Sequence, residues 1–240
     1  DNAAISFDLN RNRFLELSNI KIGGNRHPML KTDFYLTDHK NQKFQAHIDS
    51  LELPTEPNTL RSEIRASGYF GSKNNHQFFR FESTLSIFAN SPIIELDITL
   101  HNPRAARHKG GFWDLGDPGS LYFKSLILEC SFDNIKQVDL NNLETDSSRS
   151  IQENFRIYQD SSGGDNWNHH IHTDKDENST VSFKGYKTTV NNQIMESGDR
   201  ASPMITLYNQ NGSATAVYIH KFWQNFPKAF STEGDTLKIE

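Results

Sequence analysis

The chain has 240 residues, room for one large β domain or two small ones. Its hydrophobic share is only 35% while 11% of residues are aromatic, a balance that suits sheets with thin cores and polar outer faces. A formal net charge of −5, with no basic run and no RNA-binding aromatic motif, argues against a nucleic-acid partner, and no apolar run approaches the roughly 18–20 residues of a membrane span.

In chain order, residues 13–22, 30–37, 43–49 and 62–70 read as strands. Residues 79–87 alternate apolar and polar, and so do 94–100, where Ile94, Leu96, Ile98 and Leu100 share one face and Glu95, Asp97 and Thr99 the other. That period of two marks half-buried antiparallel strands. Asn90-Ser91-Pro92 between them predicts a turn, hence a hairpin. Leu126, Leu128, Cys130 and Phe132 line one face of another strand, which makes the single cysteine a small buried hydrophobe. With no second cysteine there is no internal disulfide. Residues 141–154 are polar and unpatterned and read as a long surface loop, as does 171–180. A strand follows at 180–190. Residues 204–208 and 214–222 flank Asn209-Gln210-Asn211-Gly212, whose Asn-Gly step suits a tight hairpin turn.

No segment of about 11 residues or more holds a helical apolar period, and no internal repeat is present. The expectation is an all-β fold. It would be a single domain over 1–240, a large antiparallel two-sheet β-sandwich (supersandwich-like) with long loops and little helix. There is no signal peptide pattern at the start. Asp1 and the alternating residues 236–240 read as the ends of a segment of a longer protein.

The unusual chemistry lies in loops. Trp113 sits in Gly110-Gly111-Phe112-Trp113-Asp114-Leu115-Gly116-Asp117-Pro118-Gly119-Ser120, and Trp167 follows Tyr158-Gln159-Asp160-Ser161-Ser162-Gly163-Gly164-Asp165-Asn166. Trp223 lies in Lys221-Phe222-Trp223-Gln224-Asn225-Phe226-Pro227. A tryptophan in such a setting is either a plug that anchors the loop or a flat platform for the apolar face of a sugar ring. In the second case Asp114, Asp117, Asp160, Asp165, His169 and His172 are placed to bond hydroxyls. Asp114, Asp117, Asp160 and Asp165 also offer oxygen ligands for Ca²⁺, although without the register of an EF-hand loop. His170 and His172 would share one face of an extended segment, as metal-binding strands sometimes arrange them, but spacing identifies no third ligand. Nucleophile-elbow, phosphate-loop and zincin motifs are absent.

Taken in order, several motifs resemble the central region of the exo-rhamnogalacturonan lyase / YetA-like family. They are His101-Asn102-Pro103, the His108–Ser120 run with Trp113, the Tyr158–Trp167 run, Gly185-Tyr186, Gly198-x-Arg200-Ala201-x-Pro203 and Phe222-Trp223-Gln224-Asn225-Phe226-Pro227-Lys228. The resemblance implies the central β-sandwich of a large exported protein, extracellular or periplasmic, whose small N-terminal β-barrel and C-terminal α/α-toroid lie outside this chain. It implies an acidic, rhamnogalacturonan-type polysaccharide as partner, neighbouring domains of the same protein, and cleavage by β-elimination. That chemistry needs a base and a cationic partner for the uronate carboxylate. His108 is the preferred base or acid, with a loop-bracing role as its alternative. Arg107, Arg200 and Lys221 are the candidate carboxylate partners. A sugar-binding module that cleaves nothing and a spacer bracing a toroid remain alternatives, since fold alone does not decide function.

Overall fold

The computed structural model describes residues 4–54, 60–72, 75–104, 119–169 and 180–240. Among these residues the regular structure is entirely β, and no helix is long and apolar enough to cross a membrane. The chain divides into two compact units, Asp1–Leu128 and Glu129–Glu240.

In the first unit, β1 (Ile5–Leu9), β2 (Leu17–Ile22) and β3 (Asn25–Arg26) form a small antiparallel sheet. A meander follows: β4 (Lys31–Asp38), β5 (Lys43–Glu52), β6 (Arg61–Ser72), β7 (Asn75–Phe88) and β8 (Ile94–His101), each pairing with the next. Phe14, in the turn between β1 and β2, joins the two layers. Its ring lies 4.5 Å from Phe34 and 5.5 Å from Phe81, and Phe34 in turn lies 5.1 Å from Phe70. All four rings are buried. Burying an aromatic side chain contributes about 1.5–3 kcal/mol, so this cluster is a large part of the unit's apolar core.

β9 (Phe123–Ser131) runs across the boundary between the units. The second unit then orders β10 (Ile135–Asn142), β11 (Ser147–Ile151), β12 (Phe155–Gln159), β13 (Tyr186–Val190), β14 (Gln193–Gly198), β15 (Pro203–Asn209), β16 (Ala214–Tyr218), β17 (Lys228–Glu233) and β18 (Thr236–Ile239). One layer has the order β11-β10-β15-β16, and the facing layer contains β14-β13-β12-β17-β18. Alternation explains the layering: β15 buries Pro203, Ile205, Leu207 and Asn209, and β12 buries Phe155, Ile157 and Gln159. Asn142 of β10 reaches across to donate to the Tyr186 hydroxyl of β13 at 3.2 Å. A cavity of about 40 Å³ between the layers is lined by residues of both, among them Leu140 and Thr188.

The all-β antiparallel sandwich read from periodicity is therefore present. The predicted hairpins form as well: Ile87 faces Ile94 with Asn90 at φ 57°, and Tyr208 faces Ala214 around Gly212 at φ 84°. The 141–154 loop is a correction. Its residues Ser147–Ile151 form β11, paired along β10 from Asn142↔Ser147 to Val138↔Ile151. This is an edge strand that buries only Ile151, so it carries no alternation to read.

Cys130 is buried, and desolvation pushes its thiol up to about 12. Because the thiolate is the reactive form, the native protein is expected to resist a thiol-alkylating reagent at neutral pH and to react once unfolded. Mass spectrometry after timed labelling checks this; rapid modification of the native chain would contradict it.

Candidate functional site

Gln159, the last residue of β12, is fully buried. Its amide acts in three directions. Nε2 donates to the carbonyls of Ser161 (2.6 Å) and Asp199 (2.9 Å), and Oε1 accepts the Ala201 N–H (2.9 Å). Asp160, also buried, turns its Oδ2 onto the backbone N–H groups of Ser182 and Phe183, the latter at 2.8 Å. The hydroxyl of Tyr158 bonds the same carboxylate; burial first and then Asp160 hold that phenol well above the ordinary tyrosine range. Ser161 Oγ accepts the Gly185 N–H (2.8 Å), and the Asp160 N–H donates to the Gly185 carbonyl (2.9 Å). Gly163, at φ 70°, passes so close to Asp199 that a Cβ would lie 1.9 Å from its carbonyl oxygen.

Three stretches far apart in sequence, 158–164, 185–186 and 198–203, thus meet at one buried junction. A glutamine, an aspartate and a serine do the joining because each buried backbone group there needs a partner. Asp160 holds the loop in place rather than facing solvent.

Arg200 emerges from this junction between the anchored Asp199 carbonyl and the fully buried Ala201. Its exposed guanidinium lies 4.4 Å over the ring of Trp223. Trp223 is held from behind. Its neighbour Phe222 is fully buried and stacks on Phe230 at 5.7 Å, and its Nε1 donates to Glu144 at 2.9 Å. Tyr218 lies beside Ser202, hydroxyl to Oγ at 3.4 Å, and its ring is largely exposed. Among the described residues Arg200 forms no ion pair with a carboxylate. The result is a cation over an aromatic face, on anchored backbone, with no carboxylate partner among the described residues. Such a fork suits a carboxylate.

The other predicted site residues fall as follows. Trp167 is half-buried in a turn where its N–H bonds the Gly164 carbonyl at 3.2 Å, and the His169 N–H bonds Asn166 likewise. Asp165 is exposed in the same turn. Lys221 is exposed, with φ 54°, just before Phe222. Arg107, His108, Trp113, Asp114, Asp117 and His172 lie outside the described residues. Among the described residues no group of three or more His, Cys, Asp or Glu is placed to hold a metal ion. Asp160, engaged by two backbone donors and a phenol, is ill-suited to serve one.

One set of residues escaped the sequence reading. Register places His47 opposite Tyr69, Tyr69 opposite Arg80, and Arg80 opposite His101, a single row across β5, β6, β7 and β8. Each residue alone reads as the polar position of an alternating strand. Only the pairing shows that four such positions line up.

Compared with protein-family models, the chain matches none, and no curated protein matches it.

Proposed function

We propose that this chain is the glycan-facing β-sandwich of a polysaccharide lyase-like protein that acts outside the cell or in the periplasm by β-elimination on uronate-containing, rhamnogalacturonan-type glycan. The observation that carries this reading is the Arg200–Trp223 pair. A guanidinium fork held over an indole matches the carboxylate that a uronate offers at one edge. The motif order along the chain supports the same reading.

In that reaction a base removes the proton α to the carboxylate. The C–H electrons form the C=C bond, the bond to the 4-linked oxygen breaks, and that oxygen takes up a proton. A cation held at the carboxylate stabilises the charge that develops there. Preorganised electrostatics of this kind are often the largest contribution to rate.

Binding tests the pair directly. Arg200→Ala is expected to weaken the affinity for a galacturonic acid trimer about tenfold, as expected for one lost charge-assisted bond of about 1.4 kcal/mol. Trp223→Ala is expected to act in the same direction, and a neutral trimer is expected to bind weakly to all variants. Calorimetry reads this; unchanged affinity in both variants would remove the pair from the site.

A second reading, a sugar-binding module that cleaves nothing, is favoured by one specific feature. Asp160 and Glu144, two carboxylates of the junction and platform, are each engaged in hydrogen bonds within the fold.

A further inference from the structure

The row His47–Tyr69–Arg80–His101 crosses four adjacent strands of the first unit on one face of its sheet. The opposite face carries the buried Phe70 and Phe81, so the row points away from the aromatic core. Three strand spacings put its outer members about 14 Å apart, an extended track rather than a closed pocket. The His47 and Tyr69 rings lie 5.2 Å apart at a 30° tilt. Both are half-buried, while Arg80 and His101 are exposed.

The row has unused bonding capacity. On the same face, several charges meet each other. Lys43 pairs with Asp33 (3.0 Å), and Glu63 takes both Arg61 (3.0 Å) and Arg65 (2.8 Å). Glu82, one step along β7 from Arg80, forms no ion pair with it. Among the described residues, the Tyr69 hydroxyl, the Arg80 guanidinium and the His101 imidazole have no hydrogen-bonding or ionic partner. The row holds a cation and no carboxylate, whereas each of the three rungs next to it contains a carboxylate. The next rungs along β6, β7 and β8 are Ser67–Glu82–Thr99, Arg65–Thr84–Asp97 and Glu63–Ser86–Glu95. The row's far end is fixed: past His101, Asn102 Nδ2 donates to the Gly119 carbonyl at 2.8 Å.

We propose that this row is a binding track for an anionic oligosaccharide. Arg80 takes a uronate carboxylate, the paired rings of His47 and Tyr69 lie along a sugar, and the Tyr69 hydroxyl and the two imidazoles bond sugar hydroxyls. It rests on the reading of the chain as uronate-facing but uses different residues from the Arg200–Trp223 pair, and it stands whether or not the glycan is cleaved.

The test is a titration of the 240-residue chain with a galacturonic acid trimer, followed by the imidazole NMR resonances of His47 and His101. Single His→Gln variants assign them. Both resonances are expected to shift saturably. Arg80→Ala is expected to weaken the affinity read at these positions at least tenfold, Arg80→Lys less, and Tyr69→Phe severalfold. Arg80 is exposed, so its variants are expected to keep the wild-type melting temperature, which confirms that the loss is local. Resonances that do not move, that move equally with the carboxyl-reduced neutral trimer, or that ignore Arg80→Ala would each overturn the proposal. If the row binds as expected while the protein produces no unsaturated sugar, the lyase reading fails and the track remains.

Discussion

Gln159→Leu is expected to destabilise the second unit by about 3–6 kcal/mol, among the largest effects a single substitution has here. The side chains are close in size, so little volume is lost, but three backbone groups lose their partner, two of them in buried residues. They are the carbonyls of Ser161 and Asp199 and the N–H of Ala201. Each buried polar group left unsatisfied costs about 1–3 kcal/mol, and the losses are partly shared because all three belong to one junction. Urea denaturation followed by tryptophan fluorescence measures the effect, since Trp167 and Trp223 both lie in this unit. A loss below about 1 kcal/mol would mean the backbone finds other partners, and that the junction is not what holds 198–203 in place. Because Arg200 sits between two of the groups that Gln159 binds, the same variant is also expected to weaken uronate binding at the platform.

Gly163→Ala is expected to cost about 2–5 kcal/mol for a different reason. The residue holds φ at 70°, a conformation that costs an L side chain about 1–2 kcal/mol. A methyl group would also collide with the backbone of Asp199, whose carbonyl oxygen lies 1.9 Å from the ideal Cβ position. Overpacking a rigid neighbour costs about 1–3 kcal/mol more. Relief requires separating 158–164 from 198–203, which loosens the turn carrying Trp167. The expected readout is a lower melting temperature together with altered tryptophan emission. Wild-type stability in Gly163→Ala would show that the two segments part without cost.

The sandwich was legible because strands with one covered and one open face alternate. Ile94, Leu96, Ile98 and Leu100 announced β8, and Asn-Gly announced the β15–β16 turn. β11 was illegible because an edge strand exposed on both sides has no pattern to display. The site was legible in part. The sequence picked out Arg200 and Trp223 separately, and the fold brings them to 4.4 Å. It also picked out Asp160 as a ligand-facing carboxylate, whereas the structure turns that carboxylate onto Ser182 and Phe183. A Gly- and Asp-rich run looks the same whether its polar groups face a ligand or bind buried backbone, because both tasks need short polar side chains and unusual φ angles. The His47–Tyr69–Arg80–His101 row was illegible for another reason. Its members come from four strands, and their alignment depends on register and on bulges such as the one between Ile48 and Ser50, which no local pattern encodes.

These features have one chemistry in common. The Arg200–Trp223 platform and the Arg80 row each set a guanidinium that has no carboxylate partner among the described residues beside aromatic or imidazole rings, one in each compact unit. Both suit an acidic sugar better than a neutral one.

The most direct test of the account is ultraviolet absorbance of the unsaturated uronate formed when the protein expressed from its complete reading frame is incubated with rhamnogalacturonan-type polysaccharide. The account predicts a steady rise in absorbance that Arg200→Ala slows at least tenfold. No rise on any uronate-containing polysaccharide, from protein shown to be folded, would contradict it.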